Sequence, residues 1–120
     1  MAWTTEFAGD ALRDLGLIFD HLFESYLDLG ESVEEAVQRA ATRVEQIEAQ
    51  AERIATAPQR GEGHDDLLPN LRHLTLDRAI YWFVPDPETE VVQILAIFYG
   101  GQNHRLHMLA RLLSEEEVRS

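Results

Sequence analysis

Apolar residues recur at intervals of three and four in the first half of the chain and crowd into continuous runs in the second. Leu12, Leu15, Phe19, Leu22, Tyr26 and Leu29 fall on one stripe of a helix that Gly9 or Asp10 can open. Gly30 supplies its C-terminal stop. Ser32-Val33-Glu34-Glu35 reads as a capping box, in which the serine and the glutamate three positions later satisfy each other's backbone amides. A second stripe follows through Val33, Val37, Ala40, Val44, Ile47, Ala51 and Ile54, ending before Pro58. Helices over 10–29 and 32–57, joined by so few residues, predict an antiparallel helical hairpin.

The segments around the hairpin read differently. "AWTTEF" before it has the alternation of a strand, and "APQRGEGHDDLLPN" after it has the composition of a loop. "LRHLTLDRAIYWFV" is rich in aromatic and branched residues and predicts two strands with a tight turn near Leu76-Asp77. "PDPE" is a second turn. "EVVQILAIFYG" is nearly all apolar, as expected of a central strand covered on both faces, with Ile94, Ala96 and Phe98 in it. Tyr81, Trp82 and Phe83 are successive and must alternate faces, so most of their surface belongs to the sheet core, one side of it under the terminal helix. Past Gly100-Gly101, Leu106, Leu109, Ala110 and Leu113 predict a short final helix with His104 and His107 on its outer face. The expectation is one α+β domain over 1–120: an N-terminal strand, an α-helical hairpin, an antiparallel three-strand meander and a short C-terminal helix.

Composition narrows the function. A chain of 120 residues with 45% apolar content can bury a core. Having no cysteine, it can form neither disulfides nor thiolate metal sites, and it has no cysteine nucleophile. No segment has the apolar length of a membrane span, and the start "MAWTTEFAGDALRD" does not read as a signal peptide, so a cytoplasmic protein without membrane contact is expected. Net charge is −12, and every lysine-or-arginine position is arginine. Residues 1–69 carry 15 acids and 5 arginines, whereas residues 70–120 carry 7 acids, 5 arginines and three histidines. Such a field repels phosphate backbones, which argues against direct nucleic-acid binding by the chain alone. Glu45, Glu48 and Glu52 between the stripes read as a solvated face that a basic partner could also use.

"LRHLTLDRAIYWF", a turn, and "VVQILAIFYGGQNH" together resemble the RelE/ParE toxin family of type II toxin-antitoxin systems, and within it the ParE-like, plasmid-stabilisation subgroup. That family runs from an "LR-x-L" strand through a turn to "R-x-I-x-Y" and on to "V-x-I-L-x-V-x-H-G-x-R". Its order of strand, helical hairpin and three strands covers nearly the whole chain. The resemblance matches Arg72 to the first arginine, Arg78 to the second, Tyr99 to the position of the histidine, and Gly100 to the glycine. Gly101 and Gln102 stand where arginine or lysine is common, and Asn103 where aspartate is frequent. RelE-like members cut messenger RNA on the ribosome with basic residues that hold phosphate. ParE-like members inhibit DNA gyrase by binding. The resemblance implies a cognate antitoxin as partner, gyrase as target, a toxin-antitoxin hetero-oligomer and no cofactor.

The residues allow one nuclease constellation: Arg72, Arg78, Arg105, His104 and His107, with Tyr99. Cleavage of RNA needs a base, an acid and cationic stabilisation of the phosphorane, and Arg72, Arg78 and His107 would serve it. The missing positive field weighs against that chemistry. The expectation is therefore a binding inhibitor with no catalytic residues, whose partner or target contacts are Arg72, Arg78, Tyr99, Gln102, His104, Arg105 and His107. A RelE-like ribosome-dependent endoribonuclease and a non-toxic antitoxin-binding module of the same fold are the alternatives. His104-x-x-His107 with His64-Asp65-Asp66 has metal-compatible spacing, but such pairs are common by chance, and no metal site is expected.

Overall fold

In the computed structural model the described residues are 2–100 and 103–119. The helical hairpin forms where the stripes place it. Helix α1 spans Gly9–Asp28 and stops in a Schellman turn: Gly30 takes φ +96, its N–H bonds to the Leu27 carbonyl at 2.9 Å, and Glu31 N–H bonds to Tyr26 at 3.2 Å. Helix α2, Val33–Gln50, begins with the expected capping box between Ser32 and Glu35, and the one-turn helix α3, Glu52–Ala55, carries it on. At their junction Ala51 N–H turns to Glu48, and the buried Tyr81 hydroxyl donates to the Ile47 carbonyl at 2.6 Å. Burial pushes the Tyr81 phenol far above its ordinary value, so it stays a donor.

The buried stripes are rotated from those expected. Helix α1 buries Ala11, Asp14, Leu15, Ile18 and Leu22, leaving Leu12 and Leu29 exposed. Helix α2 buries Ala36, Ala40 and Ile47, leaving Val33 and Val37 exposed. Counting apolar residues cannot register a buried aspartate, and it overlooks the small alanines through which two helices approach closely.

One five-stranded sheet, ordered β1-β5-β4-β3-β2, lies beneath the hairpin. The expected antiparallel meander is β3 (Arg72–Leu76), β4 (Ala79–Asp86) and β5 (Val91–Tyr99). Two edge strands extend it and make it mixed. Strand β1 (Thr4–Phe7) runs parallel to β5, and a two-residue β2 (Glu62–Gly63), inside the stretch expected to be loop, pairs with β3. Strand β1 on its far side makes β5 an interior strand covered on both faces, as expected, and β4 beside it takes the middle place of the five.

Strand β5 contains a bulge: Trp82 pairs with Ala96 and Phe83 with Ile94, which leaves Leu95 as the extra residue. Ile94 and Ala96 therefore point to opposite faces. Val92, Ile94 and Ile97 join Tyr81 and Phe83 in the core beneath the hairpin, while Ala96 joins Ile80 and Trp82 on the other face.

Helix α4, His104–Arg119, covers that second face with Met108 and Leu112, so Trp82 is fully buried as the alternation predicts. The helix is longer than expected, and its inward face differs. Leu106 and Leu113 are exposed, whereas His104 and Met108 point in. Among the described residues no helix is long and apolar enough to cross a membrane.

Candidate functional site

Strand β1 ends opposite Ile94, where Ala8 N–H bonds to the Ile94 carbonyl at 2.9 Å, and the edge of β5 beyond it has no strand partner among the described residues. Asp14 of α1 takes that place and accepts Ile97 N–H at 2.9 Å. Arg111 comes from α4 to the same carboxylate and donates to both oxygens, at 2.8 and 3.0 Å. A carboxylate only 4% exposed is tolerable because one backbone and two guanidinium donors satisfy it. The pair thus joins α1, β5 and α4 at one edge.

Beside the pair lies an open cleft of about 290 Å³, walled by Leu17, Ile97, Phe98, Tyr99, His107 and Arg111. The Arg111 guanidinium lies 5.2 Å over the Phe98 ring, and exposed His107 sits 5.9 Å from that ring. Tyr99 at the strand's end carries Arg78 at 5.5 Å and Arg43 at 5.8 Å over its ring. Asp77, at φ 56, turns the chain so that Arg78 follows, and Gly100 N–H bonds to the Arg78 carbonyl at 3.1 Å. Cations over an aromatic face leave a patch that can hold apolar and anionic groups together.

A second cluster occupies the opposite side of the sheet. Gly61, at φ +90, comes so close to β3 that a Cβ there would lie 2.3 Å from the His73 carbonyl oxygen. Arg72 fastens the same loop, donating to the carbonyls of Arg60 and Gly61, each at 2.9 Å. Beyond it Arg105 of α4 donates to Asp66 at 2.8 Å and to His64 Nδ1 at 2.7 Å. The Arg105 bond holds the Asp66 carboxyl below its ordinary value.

A guanidinium can only donate, so His64 carries its proton on Nε2 and donates it in a hydrogen bond to His73 Nδ1, 2.7 Å away. The Trp82 indole N–H donates to His104 Nδ1 at 3.2 Å, and the Trp82 ring packs against His64 and His73 at 4.6 and 5.0 Å. Burial, then the charges of neighbouring histidines, lowers the His73 and His104 pKa values.

The structure thus divides the expected contact residues. Tyr99, Arg78 and His107 gather at the cleft, Arg72 stands at the β2–β3 loop, and His104 and Arg105 belong to the histidine cluster. Gly101 and Gln102 lie outside the described residues. His104 and His107 do not share an outer face, because the Trp82 bond turns His104 inward. Asp14, Arg43, Glu62, His73 and Arg111 went unnoticed in the sequence. Only the alternation Glu62-x-His64 opposite His73 offered a signal, and it needed the β2–β3 register to be seen.

No family model and no curated protein matches the chain. Solved structures do. A chain of the chromosomal ParDE TA system from P. aeruginosa is 25% identical, with a TM-score of 0.60 over 84% of this chain and 98% of that one. The chain shares the fold of the RelE/ParE toxins. An arginine double mutant of the E. coli toxin RelE in its free state is 12% identical, with a TM-score of 0.59 over 96% of this chain and 98% of that one, and shares the fold. In this chain the bulge at Leu95 and the Asp14–Arg111 pair shape the end of β5.

Proposed function

We propose that this chain is a RelE/ParE-family protein, the cytoplasmic toxin of a type II toxin-antitoxin module, ParE-like in action. It binds its target, DNA gyrase, and is neutralised by a cognate antitoxin with which it forms a hetero-oligomer. The use made of the arginines carries this reading. Arg72 is spent on loop carbonyls, Arg105 on Asp66 and His64, and Arg111 on Asp14. A phosphate-holding enzyme needs its cations turned outward toward substrate. The accessible chemistry is a cleft with Phe98, Tyr99 and His107 and two arginines over the tyrosine, which suits protein contact. Arg78, Tyr99 and His107 are the proposed target contacts, with Gln102 next to them in sequence. Arg72, His104 and Arg105 are positioning residues that hold the neighbouring loop and helix.

The RelE-like reading, cleavage of messenger RNA on the ribosome, draws on one observation: His107 is exposed at the cleft. Induction of the chain without its partner separates the readings. Growth arrest with a DNA-damage response and continuing translation is expected. Early loss of translation with cut transcripts would establish the ribonuclease instead, and undisturbed growth would favour a non-toxic antitoxin-binding module.

A further inference from the structure

Strands β2 and β3 bring three metal-ligand side chains to one spot. Glu62 stands directly opposite His73 in the antiparallel register. His64 lies two residues beyond Glu62, hence on the same face, and its N–H continues the pairing to the Leu71 carbonyl at 2.7 Å. Their donor atoms converge: His64 Nε2 is 2.7 Å from His73 Nδ1, and the Glu62 carboxylate is 3.5 Å from the first and 3.6 Å from the second.

We propose that Glu62, His64 and His73 form a site for a divalent transition metal, zinc foremost, with a fourth position open to water. Two imidazoles and a carboxylate are a donor set that zinc accepts. Ligands at ~2.0–2.1 Å in tetrahedral array lie roughly 3.3–3.4 Å from one another. The two carboxylate edges are already near that length, and the imidazole edge must open by roughly 0.6 Å. The His rings are held for the task, both packed on the buried Trp82, while Glu62 is an exposed arm able to close.

Protons follow from the tautomers. His73 already offers its Nδ1 lone pair, since that atom accepts from His64. His64 must move its proton from Nε2 to Nδ1, and Nδ1 then no longer accepts from Arg105, which keeps Asp66. Metal binding and the Arg105–His64 bond therefore compete, so the site would report on how firmly the start of α4 is held.

The test is calorimetric titration of the full chain with Zn²⁺, with visible absorption of Co²⁺ as the reporter of geometry. One equivalent is expected, with affinity falling on the order of tenfold or more in Glu62→Gln, whose exposed side chain leaves the fold intact. His73→Ala should lose the Co²⁺ bands, Arg105→Ala should bind at least as tightly as the parent, and His21→Ala on α1 should change nothing. Absence of binding, or equal affinity in Glu62→Gln and His73→Ala, would overturn the site and leave the cluster a hydrogen-bonded part of the core.

Discussion

Asp14 and Arg111, 97 residues apart in sequence, form a two-pronged ion pair that also caps the Ile97 N–H on the open edge of β5. Removing the arginine leaves a carboxylate that is almost wholly buried. Arg111→Ala should cost about 3 kcal/mol, the lower end of the range for breaking a buried pair because the Arg111 side chain is itself 25% exposed. Asp14→Asn, which keeps an acceptor for Ile97, should cost less. Urea unfolding of both variants measures the difference, and equal losses would mean the charge contributes nothing.

Acid should loosen the second cluster. Burial and the neighbouring histidines hold His73 and His104 below the ordinary imidazole value, with Glu62 opposing and Arg105 adding to the effect at His73. The unfolded chain therefore takes up these protons more readily than the folded one. The stabilisation is complete above the unfolded value of about 6.5 and is lost as pH falls through the lower folded values. Protonated His104 can no longer accept the Trp82 indole N–H. Melting temperature should fall with pH below about 6.5, and less steeply in His104→Gln. Parallel pH profiles for the two proteins would contradict this.

Gly61 meets two demands at once, a positive φ and a close approach to the His73 carbonyl. Gly61→Ala should cost about 2 kcal/mol or more, because left-handed strain adds to a backbone clash. The loss should be local. Amide exchange should quicken at residues 61–64 and 72–73, with the hairpin amides unchanged, and protection unchanged throughout would refute the argument.

The parts of this fold that local chemistry writes were legible in the sequence. Gly30 and the Ser32–Glu35 box fixed the hairpin's turn, and the alternation of Tyr81, Trp82 and Phe83 put aromatics into both cores. What failed was set by tertiary partners. The Leu95 bulge reverses the facing of half a strand without any change in apolar pattern. Asp14 and His104 point inward only because Arg111 and Trp82 await them, so apolar counting misplaced the stripes of α1 and α4. The candidate site was half legible: the motif pointed to Arg72, Arg78 and Tyr99, and the search for acid-base residues to His107, whereas the internal use of Arg72 and Arg105 required the loop carbonyls and the histidine cluster to be in place.

Action by binding is tested most directly by the supercoiling of relaxed plasmid by purified DNA gyrase. The chain should inhibit supercoiling, Tyr99→Ala and Arg78→Ala should weaken inhibition while keeping the parent's circular dichroism, and the cognate antitoxin should restore the enzyme. The same preparation, added to translating ribosomes, should leave messenger RNA intact. Untouched gyrase together with transcripts cut on the ribosome, and protection of them in His107→Ala, would contradict the account.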